Sequence, residues 1–121
     1  MKIKTSGLQG VALDWAVAKC LGHEVVENYV SYIRIYLTDP KQAGYALTFC
    51  PSTDWAHGGP IIEREGIQLR CGLGGWVALP YDSAFSEEAY QEGDTPLVAA
   101  MRCYVASKLG DEVEVPDELL T

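Results

Sequence analysis

The residues of this chain whose types and spacing could support a chemical reaction lie between positions 50 and 57. Asp54 and His57 are three residues apart, so they share one face if the segment is helical. With Cys50 or Ser52 beside them, they could form a nucleophilic site. The sequence contains no nucleophile elbow, however, and only the glycines at 58–59 could supply an oxyanion loop. The simpler interpretation is that Asp54 caps a helix and His57 lies on the surface.

A second grouping of ligand-type side chains is too widely spaced for a standard metal site. It consists of Cys50, His57 and Cys71, and either His23 or Cys103 would have to complete it. These intervals match no standard zinc pattern. Four dispersed cysteines without a Cys-x-x-Cys motif are typical of small buried apolar residues. The sequence therefore assigns no catalytic residue, no cofactor and no metal.

The same segment offers a candidate surface for contact with another protein. Trp55 lies between Asp54 and His57, and an exposed Trp55 or Tyr32 would be a favourable anchor in a protein interface. If this segment has a role beyond architecture, we expect Asp54, Trp55 and His57 to form the interaction surface.

The net charge of −8 is concentrated in the second half of the chain. Residues 1–50 carry five basic and four acidic side chains, whereas residues 51–121 carry four basic and thirteen acidic ones. An acidic surface repels phosphate, so direct nucleic-acid binding is disfavoured, while a basic protein partner or DNA mimicry stays open. A nucleic-acid role would require a folded basic patch built from Lys2, Lys4, Lys19, Arg34 and Lys41.

Length and hydropathy predict one domain, residues 1–121, with an acidic tail from about residue 111. No apolar run approaches the roughly 18 residues that a membrane span needs. The first residues lack the apolar core and cleavage site of a signal peptide. We therefore expect a cytoplasmic protein without a membrane partner.

Local signals predict three helical segments. The first covers residues 7–21, with Ser6 and Gln9 as a capping box and Gly22 as its end. The second lies within 51–65, where the glycines at 58–59 break it and Pro60 starts a second piece. An irregular loop over 51–60 followed by one short helix is the alternative. The third covers 96–109, between a Thr95 cap and Gly110, with a buried stripe at 98, 101, 105 and 109.

Alternating and β-branched residues predict two hairpins. The strands of the first lie at 29–37 and 45–50, after a connector at 23–28, and a turn at 39–44 joins them. The second hairpin pairs 67–71 with 76–80 through a glycine-rich turn. Residues 81–94 read as a surface loop with a fragmentary helix at 86–91. The fold class is therefore α+β: a small antiparallel sheet of about four strands sandwiched by helices.

Four stretches of the sequence resemble a known family: residues 1–6, 12–20, 51–67 and 95–116. Together they are similar to the NinX-like family of uncharacterised enterobacterial phage and prophage proteins, and to phage α/β/α sandwich domains more broadly. Residues 22–49 and 72–94 resemble it least. The resemblance implies a phage or prophage origin, a location in the host cytoplasm and a sandwich fold. It brings no catalytic or binding residue, because the family has no assigned activity.

Three functions follow as hypotheses. The first is a non-enzymatic accessory protein that binds a host or phage protein. The second is a small ligand-binding domain or enzyme with its site near Asp54 and His57, which requires a concave pocket that contains His57. The third is a nucleic-acid-associated role in the phage recombination region, which the charge disfavours.

Overall fold

A computed structural model of the chain describes residues 1–28, 32–36, 46–72, 74–81 and 90–120. Within these ranges it contains three helices and eight short strands, which confirms the α+β class. The helices are α1 (Gly10–Leu21), α2 (Trp55–Glu65) and α3 (Pro96–Leu109). The strands are β1 (Lys2–Lys4), β2 (Val25–Asn28), β3 (Ile33–Tyr36), β4 (Ala46–Phe49), β5 (Gln68–Gly72), β6 (Gly75–Leu79), β7 (Gln91–Gly93) and β8 (Glu112–Glu114).

The strands form three antiparallel sheets rather than one. Both predicted hairpins are present, because β3 pairs with β4 and β5 pairs with β6. Strand β2 adds to the first hairpin and β7 to the second, while β1 pairs with β8. These four additional strands have three or four residues each, too few to display an alternating pattern. Strand β2 replaces part of the predicted connector, and β7 replaces the end of the predicted loop and helix fragment.

Helix α3 occupies the centre of the fold. It packs against the β5–β6–β7 sheet on one side and against α1 on another, and α1 in turn packs against β2 and β3. Helices α1 and α3 thus pack between the β2–β3–β4 sheet and the β5–β6–β7 sheet, whereas the prediction placed a single sheet between helices. An all-round apolar surface is what a central helix requires. The buried residues of α3 are Leu97, Ala99, Ala100, Met101, Cys103, Tyr104, Val105 and Ala106.

Helix α3 has the predicted boundaries. The Thr95 side chain accepts a hydrogen bond from the Val98 N–H at 3.1 Å, and Pro96 takes the first helical position. Met101 and Val105 of the predicted stripe are fully buried. Leu109 was predicted to belong to that stripe, but it is 45% exposed, because the helix ends there and the chain turns away.

Helix α1 begins three residues later than predicted. Ser6 lies in a 3-10 turn, Thr5–Gly7, and Gln9 is the N-cap residue without a side-chain hydrogen bond. The predicted capping box is therefore absent. Gly22 ends the helix as expected, with φ of 77°, a conformation that glycine adopts without steric cost.

Helix α2 is continuous, and the predicted break at 58–59 does not occur. Gly58 allows the helix to touch its neighbours, since a Cβ there would lie 2.6 Å from the Pro51 carbonyl oxygen and 2.6 Å from a Leu97 methyl group. Pro60 lies inside the helix and gives up one backbone hydrogen bond. Ile61 is buried, as the predicted pattern requires. Packing of the first turn against Pro51 and α3 thus overrides the local helix-breaking signals.

The acidic tail is packed rather than loosely held. Strand β8 pairs with β1, and Val113, Val115 and Leu119 are buried. The predicted turn at 39–44 lies outside the described residues, as does most of the predicted loop at 81–94. Among the described helices, none is both long and apolar enough to cross a bilayer.

Candidate functional site

A tight turn between β4 and α2 brings three chemically active side chains together. The Cys50 carbonyl accepts hydrogen bonds from the N–H groups of Thr53 and Asp54, at 3.1 and 2.9 Å. Asp54 then caps α2, because its Oδ1 accepts the Ala56 N–H at 2.8 Å. This turn and the first turn of α2 place Cys50, Asp54 and His57 on the same side of the joint between β4 and α2. The capping role predicted for Asp54 is thus observed.

His57 is the centre of this cluster. Its Nδ1 accepts a hydrogen bond from the Cys50 backbone N–H at 3.1 Å, so a neutral ring carries its proton on Nε2. The Cys50 thiol sulfur lies 3.8 Å from the same Nδ1, and Asp54 Oδ2 lies 3.9 Å from it. One donor atom from each residue lies within 4.8 Å of the other two. We call Cys50, Asp54 and His57 the joint cluster, because they lie at the joint between β4 and α2.

The backbone of the turn is held from α1 by a buried carboxylate. Asp14 Oδ1 accepts the Ser52 N–H at 2.9 Å, and both residues are buried. Burial raises the pKa of Asp14 to about 6, against the opposing effect of its hydrogen bonding to Ser52. The Ser52 hydroxyl oxygen is also buried and has no hydrogen-bond partner among the described residues. The turn therefore depends on Asp14 of α1, a residue distant in sequence whose burial disfavours the charged carboxylate.

The environment of Cys50 does not activate its thiol. Burial raises the pKa of this thiol, and the negative charges of Asp14 and Asp54 raise it further, while a hydrogen bond with Thr53 acts in the other direction. A nucleophilic cysteine needs the opposite, an electropositive surrounding that lowers its pKa. Proximity to His57 alone thus does not make Cys50 a catalytic nucleophile.

A concave cavity of about 410 Å³ opens beside the joint cluster. His57 forms part of its wall and stacks on Phe49, with ring centroids 5.4 Å apart, and His23 meets Phe49 edge-on at 5.5 Å. His23 Nδ1 is buried without a hydrogen-bond partner among the described residues, and burial lowers the pKa of this ring. The lining residues are Leu21, His23, Ile35, Leu47, Phe49, Ala56, His57, Pro60, Ile61 and Arg64.

A family model described as "Bacteriophage P22, NinX" matches residues 4–108. The chain belongs to this family. Membership confirms the resemblance stated above and makes the protein a phage accessory protein. The match also spans 22–49 and 72–94, where the resemblance is weakest. No curated protein matches the chain.

Trp55 extends from the first turn of α2 and is 53% exposed. It shares this turn with Ala56 and His57, which line the cavity. His57 was predicted to lie on the surface, but it is half-buried in the cavity wall because it stacks on Phe49. In this NinX family member, Asp54 and Trp55 thus face solvent beside a recess that His57 helps to form.

The other predicted ligand residues are distributed differently. Cys71 lies in the β5–β6 hairpin, is exposed and is not part of the joint cluster. Cys103 is buried in α3, as expected for a cysteine that packs as an apolar residue. His23 was considered only as a metal ligand, yet it shares the cavity with His57. No local signal connects these two histidines, because Phe49 between them is placed by the tertiary fold.

The described basic residues that a nucleic-acid role would require in one patch lie on three separate elements, β1, α1 and β3. Lys2 and Lys4 lie on β1, directly opposite Glu114 and Glu112 of β8. Lys19 lies on α1 with its ammonium group 5.5 Å from the Trp15 ring centre. Lys41 lies outside the described residues. The negative charges of Glu114 and Glu112 thus offset the positive charges of the two lysines of β1, an opposite-charge pairing that stabilises neighbouring strands.

Proposed function

We propose that this phage accessory protein acts without catalysis, by binding a host or phage protein at the start of α2. The observation that supports this most directly is the exposed Trp55 beside an apolar recess. Tryptophan is strongly enriched among residues that dominate binding energy, since its large ring excludes water from much contact area. Asp54 and His57 flank it, and they supply the polar contacts of the surface.

The proposed partner presents an apolar side chain flanked by basic residues. The apolar side chain fits the recess, whose lining includes Leu21, Leu47 and Phe49. The basic flanks match the charge of residues 51–121, where thirteen acidic side chains outnumber four basic ones. Attraction between opposite charges mainly speeds association, so binding should weaken as the salt concentration rises. The protein is proposed to act in the cytoplasm of the host cell.

Replacing Trp55 with alanine is expected to weaken partner binding by about thirtyfold or more, the size of a typical interface hot spot. The experiment first captures proteins from a lysate of phage-infected cells on the immobilised wild-type protein. The captured protein is then purified, and its Kd is measured for the wild type and for W55A. Tyr90→Ala is the matched control, because Tyr90 is an aromatic residue of comparable exposure, 45%, in a different cavity.

The proposal requires that Y90A bind like the wild type and that salt weaken the interaction. A wild-type protein that retains no partner would contradict it. Equal affinities of W55A and the wild type would place the interface elsewhere on the surface.

The cavity itself favours a second candidate function, the binding of a small ligand. It is concave, it contains His57 as that hypothesis requires, and its volume lies within the range of small-molecule sites. His57 and Arg64 offer polar contacts at an otherwise largely apolar wall. These groups suit a small aromatic acid, whose ring would enter the cavity while its carboxylate meets Arg64.

Phenylacetate serves as the probe for this second function. If the cavity binds such acids, NMR signals of His23, Phe49 and His57 should shift as phenylacetate is added, and they should saturate. Leu47→Trp would fill the cavity and remove these shifts, whereas W55A would retain them. Unsaturated or uniformly small shifts in the wild type, or shifts that survive in L47W, would exclude this function.

A further inference from the structure

We propose that the joint cluster binds a divalent transition-metal ion of the zinc type through Cys50 Sγ, an Asp54 carboxylate oxygen and a ring nitrogen of His57. These three donor atoms lie within 4.8 Å of one another. Thiolate, imidazole and carboxylate are the three ligand types that Zn²⁺ uses in proteins. The site shares Asp54 and His57 with the proposed binding surface but goes beyond that function, since Trp55 is not needed to hold the ion.

The separations of the donors are close to those of a tetrahedral site. Bond lengths of about 2.3 Å to sulfur and about 2.0 Å to nitrogen or oxygen place the donors roughly 3.3–3.5 Å apart. The observed distances from His57 Nδ1 are 3.8 Å to the Cys50 sulfur and 3.9 Å to Asp54 Oδ2. These two separations need to shorten by only a few tenths of an ångström, and the third, between the Cys50 sulfur and the Asp54 carboxylate, lies within 4.8 Å and can shorten by side-chain rotation. The ion takes the place of the hydrogen bond from the Cys50 N–H to Nδ1, and the Cys50 thiol releases its proton to solvent as the bond from sulfur to the metal forms.

The surrounding structure holds the donors in place before any ion arrives. Asp54 uses Oδ1 to cap α2, which leaves Oδ2 turned toward His57. The Cys50 carbonyl is fixed by two N–H groups of the turn, and Asp14 holds Ser52 within that turn. The His57 ring is stacked on Phe49. Such supporting contacts orient metal ligands and contribute to affinity.

The ligand set indicates which ion would bind and how. A thiolate ligand favours Zn²⁺ and related ions over Mg²⁺ and Ca²⁺, which prefer oxygen ligands. Three protein ligands leave a fourth tetrahedral position for water or for a donor from a partner. Sequence spacing argues against a metal because it pairs Cys50 and His57 with Cys71. In the structure the third donor is Asp54 and not Cys71, so the ligands have the spacing Cys-x3-Asp-x2-His.

Titration of the full chain, reduced and free of metal, with Zn²⁺ tests the proposal by calorimetry. The expected result is one ion per chain, no binding of Mg²⁺, and a Co²⁺ complex with the absorption of sulfur-to-cobalt charge transfer. Three variants remove one ligand each while they retain local structure: Cys50→Ser, Asp54→Ser, which can still cap α2, and His57→Asn, which can still accept the Cys50 N–H. Each should weaken Zn²⁺ binding by roughly tenfold or more.

Two control variants test whether the joint cluster, and not another part of the surface, holds the ion. Cys71→Ser should bind Zn²⁺ like the wild type, because the exposed Cys71 lies outside the cluster. Trp55→Ala should also bind normally, so loss of partner binding and loss of metal binding can be distinguished. Circular dichroism checks that each variant is folded. The proposal is overturned if the wild type does not bind Zn²⁺, if the C50S complex with Co²⁺ keeps the sulfur absorption, or if C71S removes binding.

Discussion

Gly58→Ala is expected to destabilise the protein by about 1–3 kcal/mol, although alanine is the better helix former. A Cβ at this position would lie 2.6 Å from the Pro51 carbonyl oxygen and 2.6 Å from a Leu97 methyl group. The leucine can rotate, but the Pro51 carbonyl belongs to the turn that carries the joint cluster and cannot move without disturbing it. The added methyl group must therefore push α2 away from the turn or from α3.

Gly59→Ala is the matched control at the next position. A Cβ there meets only the edge of the Trp55 ring, at 4.0 Å, which is ordinary contact. This variant should be more stable than the wild type by up to about 1 kcal/mol, the usual gain from glycine to alanine inside a helix. Urea unfolding followed by circular dichroism measures both. If the two variants shift stability in the same direction, the close approach at Gly58 does not govern this helix.

Asp14→Asn is expected to stabilise the protein at pH 8 by up to about 3 kcal/mol, because a shift of two pKa units corresponds to that free energy. Burial raises the pKa of Asp14 in the folded state from 3.8 to about 6. The folded chain therefore binds this proton more tightly than the unfolded chain. Its stabilising effect is complete below pH 3.8 and is lost as the pH rises through 6. Asparagine has no ionisable group, so D14N does not lose this stability as the pH rises.

The stability difference between D14N and the wild type should be small near pH 4 and largest above pH 7. The asparagine oxygen can still accept the Ser52 N–H, and its amide group can donate to the buried Ser52 hydroxyl oxygen. Asp14→Ala removes the acceptor and should cost about 1–3 kcal/mol relative to D14N at every pH. Urea unfolding from pH 4 to 8 measures these differences. A pH-independent difference between D14N and the wild type would mean that Asp14 ionises normally.

The sequence predicted the elements whose signals are local. The boundaries of α3 follow from residues at its own ends, Thr95, Pro96 and Gly110. The two hairpins follow from the alternation of side chains along their strands. The prediction failed where distant contacts decide the outcome. Gly58 and Pro60 read as helix breakers, but the packing of α2 against Pro51 and Leu97 keeps the helix continuous. The sequence does not predict strands β1, β2, β7 and β8, because three or four residues carry too little pattern.

The candidate site was predicted in part. The spacing of Asp54 and His57 on a helical turn placed both near the joint, and Cys50 was considered beside them. The turn hydrogen bonds that fold Cys50 back toward His57 depend on backbone geometry, which spacing does not specify. The cavity depends on Phe49 and His23, which α1, β4 and α2 bring together only in the folded chain. The support from Asp14, 38 residues away from Ser52, had no local signal at all.

The pairing of β1 with β8 has a consequence for how the chain reaches its fold. The Thr5 hydroxyl donates to the Gly110 carbonyl across 105 residues of sequence, and β8 follows α3, which is the central helix. Contacts of such large sequence separation form late, because the entropy of closing the chain must be overcome first. On the ribosome, β1 therefore emerges before α3 and β8 and stays without its partner until both have been synthesised. Completion of the core therefore waits for β8, and until then the nascent chain exposes the unpaired edge of β1.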